Sequence, residues 1–83
     1  AGARRPRQER TGSRRLAREA DELLRRIGSL EEELAGVERE LADAAVAADR
    51  GRLAERAERH RELQEEIAWL MREWEERAEA VEA

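Results

Sequence analysis

Hydroxyl and imidazole groups are few, His60, Ser13, Ser29 and Thr11, and there is no cysteine in the 83 residues. They are too scattered for a nucleophile, a base and an orienting group to converge. One His, three Asp and no thiolate disfavour a zinc centre on composition, and no metal or cofactor is expected. A phosphate-binding loop needs a Lys, and all 17 basic residues are Arg. The chain is therefore expected not to be an enzyme. What remains chemically is charge: Arg and Glu in quantity, and two tryptophans, Trp69 and Trp74.

The charge is unevenly placed. Arg4, Arg5, Arg7, Arg10, Arg14, Arg15 and Arg18 stand against one carboxylate, Glu9, giving the first 18 residues about +6 and leaving about −10 for the rest of a chain whose net charge is −4. The same stretch holds Pro6, Gly2 and Gly12 and no large apolar residue before Leu16. Residues 1–13 are thus predicted to be a basic flexible linker. Clustered Arg of this kind suits nucleic-acid phosphates, which position a protein without specifying sequence. A solvated tether is the other reading of the leader.

The elements that must carry these groups follow from periodicity. Leu16, Ala20, Leu23, Ile27, Leu30, Leu34, Val37 and Leu41 recur at alternating spacings of four and three, a coiled-coil seam. The composition agrees: 46% charged, and 16 Ala among the 33 hydrophobic residues. This predicts a helix over about 14–45, N-capped by Ser13 and supported by Asp21–Arg25 and Glu22–Arg26 pairs one turn apart. Small residues and two Asp then lead to Gly51, predicting a turn over about 46–51. A second seam, Leu53, Ala57, His60, Leu63, Ile67, Leu70, Trp74, Ala78 and Val81, predicts a helix over about 52–82, overwound where 57, 60 and 63 are three apart.

Folding the chain at the turn pairs Leu16 with Val81, Leu23 with Trp74, Ile27 with Leu70, Leu30 with Ile67, Leu34 with Leu63 and Val37 with His60, and every pair of numbers adds to 97. The expected fold is all-α: a two-helix antiparallel coiled-coil hairpin over 14–83 with a basic N-terminal leader. Helices of roughly 29 residues would make a rod about 43 Å long. Gly28 and Gly36, inside the first helix, each cost about 1 kcal/mol relative to Ala. No apolar run is long enough to cross a membrane and no export signal is visible, so a cytoplasmic setting is expected.

Two further features could contact partners. Arg50 and Arg52 lie at the predicted turn, where an arm meets another surface. Trp69 falls off the seam and, with Met71, is a candidate protein-contact patch. His60 in the seam is read as a tolerated core-edge histidine.

The runs Ile27-Gly-Ser-Leu30-Glu31, Leu41-Ala-Asp43 and Trp74-Glu75 resemble the C-terminal coiled-coil domain of ABC-F ATPases, the Uup type in particular. Leu24, Met71 and Arg77 depart from that pattern, which often has Pro, an aromatic and Leu there, and the linker has Arg where members are often Lys-rich. The resemblance implies a hairpin that follows a tandem pair of ATP-binding domains and a basic linker. It implies a nucleic-acid-binding accessory role, DNA-binding or ribosome-associated, for a parent acting in translation, antibiotic resistance or DNA-related tolerance. On that reading the nucleic-acid-binding residues are the seven leader arginines with Arg50 and Arg52. The alternative is a protein-interaction or oligomerisation coiled coil, such as a homo-oligomer of the hairpin, with no nucleic-acid role. A tRNA-binding helical arm shares the architecture but would carry more basic charge along its helices.

Overall fold

The computed structural model describes the backbone of residues 4–82 and the side chains of residues 12–82. Two helices account for nearly all of it: α1, Arg4–Val46, and α2, Arg50–Glu82, packed side by side in an antiparallel hairpin. The seam forms because alternating three- and four-residue spacings keep one narrow apolar stripe of each helix facing the other. Ile27, Leu30, Val37, Leu63 and Leu70 are buried, and Leu23, Leu34, Leu41, Ile67 and Trp74 pack against them. Val37 and Leu63 are the largest fully enclosed side chains, each contributing about 1.5–3 kcal/mol by leaving water. Ala20 and Ala44 close the stripe toward its two ends.

The register is pinned by ion pairs between the helices. Arg26 reaches Glu66 at 3.2 Å and Arg59 reaches Glu33 at 2.7 Å along one edge of the seam. Arg56 reaches Glu40 at 3.7 Å and Arg77 reaches Glu19 at 3.2 Å. His60 lies 3.9 Å from Glu38. All five agree with the pairing in which facing seam residues add to 97.

Several expectations are corrected. The first helix begins at Arg4, not near 14, so Ser13 lies within α1 and is not its N-cap, and the linker boundary at 13 does not coincide with a helix end. Pro6 is compatible with this because it falls in the first turn, where a missing N–H removes no intrahelical bond. The molecule measures 70 × 14 × 13 Å, longer than the expected rod, because α1 has 43 residues and runs past the end of α2.

The second seam has no phase slip. Ala57 is exposed, and Arg56, with its side chain only 25% exposed, occupies the seam between Leu53 and His60. The spacing 53, 56, 60, 63, 67, 70, 74, 77, 81 is then a regular alternation of three and four, with no need for overwinding. Leu41 faces Arg56, Ala20 faces Arg77, and Ala44 faces Leu53. The helix-internal pairs expected of Asp21 and Glu22 do not form: Arg26 pairs across the seam instead, and Arg25 is in no ion pair among the described residues.

The turn is shorter than expected, residues 47–49 instead of about 46–51, and Gly51 belongs to α2. Ala48 takes the left-handed conformation, with φ 55°. Its N–H donates to the Ala45 carbonyl at 3.1 Å, and the Asp49 N–H donates to the Ala44 carbonyl at 2.9 Å, the paired bonds of a Schellman motif. Asp49 at once caps α2, accepting the Arg52 backbone N–H on its carboxylate at 3.1 Å. The seam layer of Ala44 and Leu53 leaves only the residues between them to reverse the chain, and Asp49 supplies both the end of one motif and the start of the next.

Candidate nucleic-acid interface

The arginines divide into two populations. Arg26, Arg56, Arg59, Arg61 and Arg77 are held by carboxylates. Arg61 bridges Glu58 and Glu65 one turn to either side, at 2.7 Å to Glu65, and its hydrogen bonds to Glu58 hold that carboxyl below its ordinary range. The hydrogen bond from Arg59 to Glu33 likewise raises the Arg59 pKa, and the bonds to Glu58 raise that of Arg61. These side chains are committed to the hairpin itself.

Arg14, Arg18, Arg25, Arg39, Arg50, Arg52 and Arg72 form the second population: all are exposed and in no ion pair among the described residues. Three of the sequence-predicted binding residues, Arg14, Arg15 and Arg18, lie together at the open end of the hairpin, where Arg15 is 3.9 Å from Glu19. Arg50 and Arg52 lie at the opposite end, beside the turn, so the predicted set occupies both ends of the hairpin. The side chains of Arg4, Arg5, Arg7 and Arg10 lie outside the described residues, although the α1 backbone carries those positions. Reasoning from the leader alone passes over Arg25 and Arg39. The signal for them is their spacing of seven and twenty-one residues on from Arg18, off the seam.

Trp69 is 54% exposed and Met71 38%, so both present apolar surface. They do not make one patch, since residues two apart on a helix project to different sides. Leu24, 45% exposed, is an apolar surface residue that the seam pattern does not single out. At the open end a shallow groove of about 290 Å³ is lined by Glu19, Glu22, Leu23 and Arg77. Its carboxylates would repel phosphate. Among the described residues no group of acidic or His side chains is placed to hold a metal ion, and no helix is long and apolar enough to cross a membrane.

The described residues thus form an all-α hairpin with cross-seam ion pairs and a set of exposed arginines in no ion pair among them. The chain belongs to the ABC transporter C-terminal domain family, which it matches over residues 12–79, the hairpin from its open end to the last turn of α2. This upholds the resemblance to the C-terminal domain of ABC-F ATPases read from the sequence, and the domain is an accessory domain of an ABC protein. No curated protein and no solved structure matches the chain.

Proposed function

We propose that this domain is a non-catalytic arm, of the Uup type, that contacts nucleic acid on behalf of its parent ATPase, with the Arg-rich beginning of α1 as the principal phosphate contact. The observation that carries the reading is the exposure of Arg14 and Arg18 at the open end with no carboxylate partner among the described residues, on the helix whose backbone also carries positions 4, 5, 7 and 10, all Arg. Free guanidiniums there can displace the counterions of a phosphate backbone, DNA or ribosomal RNA. Arg50 and Arg52 give the turn a smaller basic contact. On this reading the parent works in the cytoplasm, in translation, antibiotic resistance or DNA-related tolerance.

The test is binding of the whole chain, and of a form beginning at Glu19, to duplex DNA and to structured RNA across a salt series. The whole chain should bind with a slope reporting several phosphates, about 0.9 for each on duplex DNA, and the shortened form should lose most of it. Absence of binding by the whole chain at low salt would favour the second reading, a protein-docking hairpin, for which the exposed Trp69 is the specific support.

A further inference from the structure

The hairpin has one stapled flank and one bare flank. Beside the seam on one side stand the residues that precede Ile27, Leu34, His60 and Ile67; all are charged, and they close that side as Arg26 with Glu66 and Arg59 with Glu33. On the other side stand the residues that follow Leu23 and Leu70, with those spaced seven apart from them. There Glu31 and Glu38 are the only charges from Ala17 to Ala45 of α1, and α2 has none from Ala57 to Ala78. The one ion pair that crosses there among the described residues is His60 with Glu38, at 3.9 Å. Burial follows the same division. Leu30, Val37, Ala44, Leu63 and Leu70 border the stapled flank, under arginine and glutamate stems, and are buried. Leu34, Leu41, Leu53, Ile67 and Trp74 border the bare flank and are only half-buried. The open end departs from this division, with Ile27 buried and Leu16 and Leu23 half-buried. Leu24 and Met71, 45% and 38% exposed, stand on the bare flank within about two residues of one level.

We infer that the bare flank is an interface with a second copy of this chain, two hairpins packing into a four-helix bundle about a two-fold axis that runs along the rods. This is independent of the nucleic-acid reading. In that arrangement α1 of each copy lies against α2 of the other, so Leu24 meets Met71 twice, and the small Gly28 and Ala68 let the helices approach. The polar groups of the flank suit a copy of itself: Arg14 falls opposite Glu82, Glu38 opposite Arg61, and Glu31 opposite the Gln64 amide. Asp21 opposite Glu75 is the one like-charged meeting. From Ala17 to Ala45 the flank is about 42 Å long, and the rod is 14 Å across. The footprint is then roughly 600 Å² on each copy, about 1,200 Å² in all, the size at which specific protein interfaces begin.

The experiment is sedimentation equilibrium of the whole chain over a wide range of concentration, with three variants: Leu24→Glu with Met71→Glu, Trp69→Glu, and Glu75→Arg. All four side chains are exposed, and circular dichroism establishes that the variants keep the helicity of the unaltered chain. The unaltered chain should approach twice its 9.6 kDa mass as concentration rises, and the Leu24 and Met71 form should stay at the monomer mass. Trp69→Glu, on the stapled side, should dimerise as the unaltered chain does. Glu75→Arg turns the meeting with Asp21 into an attraction at two symmetric places and should lower the dissociation constant about tenfold. A whole chain that is monomeric throughout overturns the inference and leaves the flank to a different protein. So does a dimer that survives the Leu24 and Met71 change, that is lost with Trp69→Glu, or that Glu75→Arg fails to tighten.

Discussion

Arg77 crosses the seam from α2 to α1: its Nε donates to Glu19 Oε2 at 3.2 Å, and its Nη1 turns back to Glu73, to the side chain at 3.4 Å and the backbone carbonyl at 3.2 Å. Opposite it stands Ala20, whose small side chain leaves room for the guanidinium stem. Arg56, opposite Leu41 near the turn, is held in the same manner by Glu40 and Glu55. A polar group in an otherwise apolar seam discriminates between registers that Leu and Ile alone would tolerate. Sliding α2 by one heptad would keep most apolar pairs but bring Arg77 to Arg26 and Glu33 to Glu66.

A single register is therefore predicted, and the absence of cysteine makes it easy to observe. Ala45→Cys with Ala57→Cys reports the native register, and Ala45→Cys with Gln64→Cys reports the slid one. All three sites are exposed. A short thiol cross-linker should join the first pair and leave the second as separate thiols, read as mobility on a denaturing gel after cleavage of the turn.

Gly28 and Gly36 sit in the middle of α1 with no steric requirement for glycine. A Cβ at Gly28 would meet nothing within 4 Å, and one at Gly36 would only touch the movable end of Arg39. Replacing both with Ala should stabilise the hairpin by about 1 kcal/mol each. Thermal unfolding should shift upward by roughly 4–8 °C for each kcal/mol in a domain of this size.

Ala48 holds φ at 55°, where a Cβ crowds the following carbonyl. Glycine at that position keeps both Schellman bonds and removes the crowding, so Ala48→Gly should stabilise by about 1 kcal/mol. Gly51, which is helical, offers the converse: Gly51→Ala should also stabilise, since its nearest neighbour would be the Asp49 carboxylate at 3.7 Å. Urea unfolding of the two single variants and the pair measures both effects and their additivity.

The Arg61 pair with Glu58 has a definite pH signature. Glu58 has a lowered pKa in the folded chain, chiefly through its hydrogen bonds to Arg61. Its contribution to stability is present above the ordinary glutamate value of 4.5, which holds in the unfolded chain, and is lost as pH falls through the lower folded value. Carbon-detected NMR titration should place the Glu58 carboxyl below the ordinary glutamate range, and Arg61→Gln should return it there.

The hairpin is legible in the sequence because it rests on Leu, Ile and Val, whose spacing determines which faces meet, and its register because the position of the turn leaves few ways to pair the two stripes. The Leu30 and Ile67 layer follows from arithmetic on residue numbers. Arg56 and Arg77 are not legible as seam residues, because a pattern built on apolar letters passes over an arginine whose stem is buried and whose charge reaches out. The apolar pattern selects Ala57 in place of Arg56 for that reason, and implies an irregularity where there is none. The turn differs from its expected place for a related cause. Gly51 signals a reversal by its own freedom, but the reversal is set by where the last seam layer closes and by the capping of Asp49. That Arg25 and Arg39 are unpaired depends on which arginines the carboxylates across the seam bind, and spacing alone does not specify those choices.

The cross-seam ion pairs have a mechanical consequence. They staple α1 to α2 from the Glu19–Arg77 level to the Glu40–Arg56 level, so the two helices cannot slide past one another when the rod is loaded. Resistance to bending rises steeply with cross-section, and between those levels the pair bends as one beam and carries a force along its length as a stiff lever.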